Sequence, residues 1–421
     1  MHVSNIIPVM LMSSVLVACG GGTGASLSIP ATTTTSGGNN GTTTNTGTGT
    51  STGGNTGTST GTTGGSSTST GGGTATGGTT GGTTSGEDNT GNTSDTGNTF
   101  RLLTRNAVDA AYSDALERLI TVSSSPDNAL NIINPASGEQ QAVVLNLTPT
   151  SLAISPDGKT AVVGHKNAVT HVNLQTASVL DFYNNLSLDI FDIALDARGI
   201  AYATPQSNDL WGALKSINLS TGAVESSLSV VQMGSSYLQL APSLNALYLF
   251  DKGTLPVDLI KADVSTAPPV GLYDSPYNGD YDIGGAAGKG PWLTEDDAYI
   301  LTAGETLFRT ATTQDQDMLY QRSVSDNDND PTTTLLHADH SQEAGKFVVI
   351  LDKGITGTGS DYRLKTYSTP QLVLSEEKKL SEMDLDNSGD PVIPQFAFFN
   401  SDGTQRYAVV KQGSGTYLQA F

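Results

Sequence analysis

The feature that most limits this chain is a short pattern that returns seven times. Residues 151–164 read SLAISPDGKTAVVG: an apolar strand, a Ser155-Pro156-Asp157-Gly158 turn, and a second strand rich in Ala and Val. Asp-Gly between two apolar runs is a strong hairpin signal, because it supplies the left-handed backbone that matches the twist of the flanking strands. A third strand follows at residues 168–174 (AVTHVNL), then Gln175-Thr176-Ala177 and a fourth strand near 178–182. Looser copies lie at residues 108–122 (VDAAYSDALERLITV), 193–204 (IALDARGIAYAT), 238–250 (LQLAPSLNALYLF), 291–303 (PWLTEDDAYILTA), 336–352 (LHADHSQEAGKFVVILD) and 396–412 (FAFFNSDGTQRYAVVKQ).

With Asp114, Asp157, Asp196, Ser243, Asp296, Ser341 and Asp402 as turn markers, the copies are spaced by 43, 39, 47, 53, 45 and 61 residues. A period of about 40–50 residues with four strands per unit suits the blades of a propeller, the later ones carrying insertions. No helical periodicity of useful length competes. The Ser155-Pro156-Asp157-Gly158-Lys159 copy and its degraded relatives resemble the YVTN-type, lactonase-like seven-bladed β-propeller over about three quarters of the chain. The expected fold class is therefore all-β: a seven-bladed β-propeller of four-stranded antiparallel blades over residues 100–421. The last copy leaves only three strands before the chain ends. Its missing outer strand is expected from Phe100-Arg101-Leu102-Leu103-Thr104, which would close the ring and remove an exposed edge.

Ahead of the repeats lie two segments of other kinds. Residues 6–18 (IIPVMLMSSVLVA) form an apolar run of signal-peptide length, too short to span a membrane. It runs into Leu16-Val17-Ala18-Cys19-Gly20, which resembles the lipobox of bacterial lipoproteins. That resemblance implies removal of residues 1–18 and lipidation, palmitate included, on Cys19, the only cysteine among 421 residues. Several acyl chains would anchor the protein firmly, at about 0.8 kcal/mol per buried methylene. Gly20 after the cysteine implies sorting to the outer membrane. The amino-terminal residues 1–5 carry no Lys or Arg, which departs from an ordinary signal peptide. Residues 20–99 are almost all Gly, Thr, Ser and Asn, a composition that cannot offset its ordering entropy. As a flexible linker it would span roughly 50 Å on average and roughly 270 Å at full stretch.

Charge excludes one class of function. The chain holds 41 acidic and 20 basic residues; residues 1–100 have three acids and no base, so the remainder carries a net −18. A nucleic-acid role needs a basic face against phosphate, and none is available. A single Cys rules out a disulfide framework or a multi-cysteine metal site.

Three acidic or aromatic loops are candidate sites. Asp384, Asp386, Ser388 and Asp390, with Gly389 among them, resemble the start of a calcium loop, in which alternating oxygens and a sharp turn suit a hard cation. Gln395 stands where the bidentate Glu of an EF-hand would fall. Asp326, Asp328 and Asp330 show the alternation without the Gly. Both loops read equally as solvated acidic turns, so calcium is a possible cofactor and no other is implied. Tyr273, Tyr277, Asn278, Asp280 and Tyr281 combine flat rings with directional polar groups, as a glycan- or peptide-binding surface would, or as an insertion packed on itself would. His337, Asp339 and His340 are too few for zinc without distant ligands. G-x-S-x-G occurs only at residues 49–53 and 57–61, inside the Gly/Thr-rich linker and outside the repeats, and H-E-x-x-H does not occur.

These features point to a monomeric outer-membrane lipoprotein, facing the periplasm or the medium. It would be held to the membrane through Cys19 and display a non-catalytic propeller that binds a protein or a glycan. The alternative is a lactonase-like hydrolase or isomerase working at the propeller's funnel. Convergence of carboxylate, His and Arg side chains there would favour the enzyme, and a funnel of Ser, Gly and apolar groups the binding module.

Overall fold

A computed structural model describes residues 100–421 except 208–211, 231–233, 251–256, 278, 285–288, 325–332 and 355–359. After β1 (Phe100–Leu103), the first sheet is β2 (Asp109–Ser113), β3 (Arg118–Ser123), β4 (Ala129–Ile133) and β5 (Gln140–Val144). Next come β6 (Pro149–Ile154), β7 (Thr160–Asn173), β8 (Ser178–Leu195), β9 (Ile200–Pro205), β10 (Lys215–Asn218) and β11 (Val224–Ser226), hydrogen-bonded in that order. The third sheet is β12 (Tyr237–Ala241), β13 (Ala246–Phe250), β14 (Leu259–Asp263) and β15 (Val270–Asp274). The fourth is β16 (Trp292–Leu293), β17 (Tyr299–Leu301), β18 (Thr306–Arg309) and β19 (Leu319–Ser323). The fifth is β20 (Thr334–Ser341), β21 (Lys346–Asp352), β22 (Tyr362–Ser368) and β23 (Leu374–Lys379). The last is β24 (Ile393–Phe399), β25 (Arg406–Gln412) and β26 (Gly415–Ala420), with β1 outside β26. All pairings are antiparallel.

These are six sheets, which corrects the expected seven separate four-stranded ones. The cause is continuity in one region. β7 is 14 residues long and β8 is 18, and each carries hydrogen bonding across a bend where a break was expected. β7 doubles back beside Asn167, whose φ is 58°, so that the Leu174 N–H donates to the Lys159 carbonyl at 2.9 Å. β8 pairs with β7 through Ser178–Asn184 and again at Asp189. Past Asn185 and Ser187, with φ of 57° and 51°, it pairs with β9 from Ile190 onward.

Each of the seven sequence copies falls on a hairpin between an innermost strand and the next. The innermost strands β2, β6, β8, β12, β16, β20 and β24 touch in turn and return to β2. Alternation of side chains along each strand feeds apolar layers on both faces. On β3, Ile120 and Val122 pack with Leu152, Ala161 and Val163 of the following sheet, while Leu119 packs with Phe396, Phe398 and Val409. Inside the six-stranded sheet, Val162 and Val169 pack against Ile190, Ile193, Ala201 and Ile217, so its two halves lie face against face.

The inner turns also lean on one another. Gly158 has φ +71°, and a Cβ there would sit 2.8 Å from the Ala115 Cβ and 2.9 Å from the Ser113 Oγ; the Ser113 hydroxyl donates to the Gly158 carbonyl at 2.7 Å. Gly403, φ +66°, repeats the contact against Ser341 and Ala344. The closing strand expected from residues 100–104 is present: β1 pairs with β26 in the register Phe100↔Gln419 to Leu103↔Thr416.

Candidate functional site: the central channel

The innermost strands surround a cavity of about 760 Å³, to which every one of them contributes residues. Strand alternation puts a polar residue toward this axis at Asp109 of β2, Asp192 of β8 and His337 of β20. Each does the same structural work: it accepts a backbone N–H of the next innermost strand, which has no sheet neighbour on that side. Asp109 Oδ2 accepts from Leu152 N at 2.8 Å, Asp192 Oδ2 from Leu238 N at 2.9 Å, and His337 Nδ1 from Ala397 N at 3.3 Å. Asp339 Oδ2 accepts from Phe399 N at 2.8 Å.

The three carboxyls lie deep in the protein yet stay partly exposed to the channel. Burial pushes Asp109 up to about 6, against two backbone N–H donors and the Lys289 ammonium, which favour its charge. Burial and the charge of Asp109 push Asp192 to about 7. Asp339 is raised well above the carboxylate range by burial, with Asp114 and Glu295 adding to it. His337 is lowered to about 3 by burial and by Lys289, so its ring is neutral. Since Nδ1 accepts from Ala397, its proton is assigned to Nε2.

Aromatic rings make up much of the wall. His337 meets Trp292, Phe396 and Phe398 edge to face at centroid distances of 5.9, 5.4 and 5.1 Å. Phe191 and Tyr237 meet at 4.8 Å, and burial together with Asp192 and Asp109 pushes the Tyr237 phenol up to about 12. Ser151, 2 % exposed, also lines the cavity, and its hydroxyl has no hydrogen-bond partner. Lys289 is the only basic side chain among the described lining residues. Among its described lining residues the channel thus combines carboxyls and a neutral imidazole, without Arg.

Most of this was missed by sequence reasoning, which held His337 and Asp339 only as part of a cluster too small for zinc. A usable signal existed in Asp109 and Asp192. Each lies in the run that opens a hairpin copy, a few residues ahead of the turn acids Asp114 and Asp196.

The residues singled out from the sequence lie elsewhere. Cys19, residues 20–99, Asn278, Asp326, Asp328 and Asp330 are outside the described residues. Asp384, Asp386, Ser388 and Asp390 form an exposed turn between β23 and β24. Gln412 Nε2 donates to Asp384 Oδ1 at 2.7 Å and to the Asp390 carbonyl at 2.9 Å, and Ser388 N donates to Asp386 Oδ1 at 3.0 Å. Hydrogen bonds from Ser388 hold Asp386 below the usual carboxylate range. Among the described residues no group of three or more His, Cys, Asp or Glu is arranged to hold a metal ion.

In the tyrosine insertion the rings pack on the domain. Tyr281 stacks on Tyr320 at 4.2 Å and meets Tyr277 edge-on at 4.8 Å, and Tyr320 N donates to the Tyr277 hydroxyl at 3.0 Å. Asp280 is exposed. Tyr273 joins a buried network: its hydroxyl and that of Tyr248 donate to Asp317 at 3.1 and 2.8 Å, and Lys261 Nζ lies 2.8 Å from Asp317 Oδ2.

No protein-family model matches the chain, and no curated protein does. Solved structures match it. The crystal structure of the Cps50 (Swd1) β-propeller domain from Myceliophteria thermophila aligns with a TM-score of 0.56 at 11 % identity, covering 76 % of this chain and 97 % of that one. Hydrazine synthase of Kuenenia stuttgartiensis aligns at 0.47 and 11 % identity, covering 73 % and 96 %. The first likeness speaks to fold alone, and the second is too distant to argue from. Together with the radial sheets, the first defines the class: residues 100–421 are a β-propeller of antiparallel, mostly four-stranded sheets.

Proposed function

We propose that this chain is a cell-envelope lipoprotein, anchored through Cys19 and tethered by residues 20–99, whose propeller is a non-catalytic binding module for a protein or glycan partner. One observation carries the choice of binding over catalysis. The channel carboxyls Asp109, Asp192 and Asp339 each spend an oxygen on a neighbouring strand's N–H, and the ring nitrogen His337 Nδ1 does likewise. The wall between them is aromatic. Groups committed to holding the ring together, set among flat apolar faces, suit recognition better than proton transfer.

The same reading takes the six-stranded sheet as two blades joined by continuous hydrogen bonding, giving seven blades in all. Its supports are the fold-back in β7, the face-to-face packing within that sheet, and the ring of seven innermost strands. The lipobox-like run before Cys19 and the composition of residues 20–99 support anchoring and display.

The test expresses the full chain in a Gram-negative host fed an alkynyl palmitate. Label on the wild type and none on Cys19→Ser is the expected result, and an unlabelled wild type overturns the anchoring. A lactone and glycan panel on the purified chain reads the module. Binding without turnover is expected, and turnover lost in His337→Gln would move the function to the hydrolase alternative.

A further inference from the structure

Two parts of the channel share one electrostatic sense. At pH 8 Asp109 and Asp192 are ionised while Lys289 supplies one positive charge, so this arc of the channel keeps an excess of negative charge. Its walls are ring faces and edges from Phe191 and Tyr237 on one arc and from Trp292, Phe396 and Phe398 on another. Aromatic faces are the negative pole of the ring quadrupole and attract cations. A low-dielectric cleft lined by one sign of charge also concentrates counter-ions.

We infer that the central channel binds an organic ammonium group, seated between the Asp109–Asp192 carboxyls and the aromatic wall. The inference rests on the channel being the module's binding site and names what that site takes. A hard metal ion is a poorer fit, because both oxygens of each carboxyl already accept a backbone N–H and, among the described residues, no third oxygen-rich group joins the pair. A neutral sugar could use the rings but would leave the carboxyl charges uncompensated. Poor hydration of Asp192 and Asp109, seen in their raised protonation points, is the state a bulky, weakly hydrated cation would relieve.

The test uses two probes of one shape. Choline carries a trimethylammonium, and 3,3-dimethylbutan-1-ol replaces the nitrogen with carbon and removes the charge. Binding to the full chain at pH 8 is followed by calorimetry and by Trp292 fluorescence in a Trp211→Phe background. Choline is expected to bind at least tenfold more tightly than the alcohol. Asp192→Asn, whose amide oxygen still accepts the Leu238 N–H, is expected to lose at least tenfold in choline affinity with its fold retained by circular dichroism. A parallel titration with Nα-acetyl-lysine amide separates sources. Preference for choline assigns a free quaternary ammonium, and preference for the lysine derivative assigns a side chain presented by a partner. Equal binding of choline and the alcohol, no binding of either cation, or undiminished affinity in Asp192→Asn overturns the inference. Palmitate labelling and the glycan panel are untouched by that failure, so the broader reading stands or falls separately.

Discussion

Replacing Lys261 with Met tests whether the buried network between the third and fourth sheets is as closed as its geometry says. The Lys261 and Asp317 side chains are 2 % and 0 % exposed and 2.8 Å apart. Asp317 also takes the Tyr248 and Tyr273 hydroxyls and the Ala311 N–H at 2.7 Å, while Lys261 Nζ donates to the Ala311 carbonyl and lies over the Tyr248 and Tyr273 rings at 5.2 and 5.7 Å. Met fills much of the lysine stem but leaves a carboxylate with no counter-charge. Removing one partner of such a pair costs about 3–5 kcal/mol. With an unfolding entropy of about 2.1 cal/mol/K per residue, a domain of this size should lose roughly 4–7 °C in Tm. Removing both charges in Lys261→Met/Asp317→Leu should recover part of that loss, because two buried charges then need no compensation. Urea titration of the wild type, the two single variants and the double variant gives the coupling energy. A Lys261→Met cost below about 1 kcal/mol, or a double variant that costs the sum of the singles, would refute the reasoning.

Other predictions are simpler. Gly158→Ala places a Cβ against Ser113 and Ala115 at a left-handed φ, and is expected to destabilise by about 1–3 kcal/mol in urea. Asp192 has its folded pKa raised to about 7, so it favours the folded state while protonated and loses that contribution as pH climbs from the carboxylate range through 7. Asp192→Asn should therefore be more stable than wild type at pH 8, by at least about 1.4 kcal/mol, with the gap shrinking by pH 4; a pH-independent difference would contradict this. Calcium added after EDTA should leave Tm unchanged, since Gln412 already holds two of the oxygens a cation on residues 384–390 would need; a reversible upward shift would instead assign that loop a metal.

The seven hairpins were legible because their turns are local chemistry. In the clearest, Ser155 Oγ and Lys159 N both donate to Asp157 Oδ1, and Gly158 supplies the left-handed residue. The continuity of β7 and β8 was not legible. Asn167, Asn185 and Ser187 turn the chain with no Gly or Pro, so nothing in the sequence marks where hydrogen bonding carries on through a bend. The channel was obscured for a different reason. Asp109, Asp192 and His337 are ordinary residues one at a time, and only ring closure brings them to one axis. The tyrosine insertion shows the converse, since Tyr277 and Tyr281 spend their ring faces on Tyr320 and Phe308, which sequence spacing does not reveal.

The closing strand has a mechanical consequence. Among the described residues β1 has one strand neighbour, across four residue pairs; it is also tied by hydrogen bonds of Arg101 and Leu102 with Ala136 and Gln140, and it is the first strand of the domain. Any pull transmitted along the chain from the amino-terminal side enters at Phe100 and meets this clasp before it meets any blade. β26 keeps its pairing with β25 when β1 leaves, so the clasp can yield while the rest of its sheet holds. The domain is thereby built with a weak first link. In a single-molecule pulling record from residue 99, a small early step should precede the main rupture, and a single rupture with no such step would show that β1 and the ring give way together.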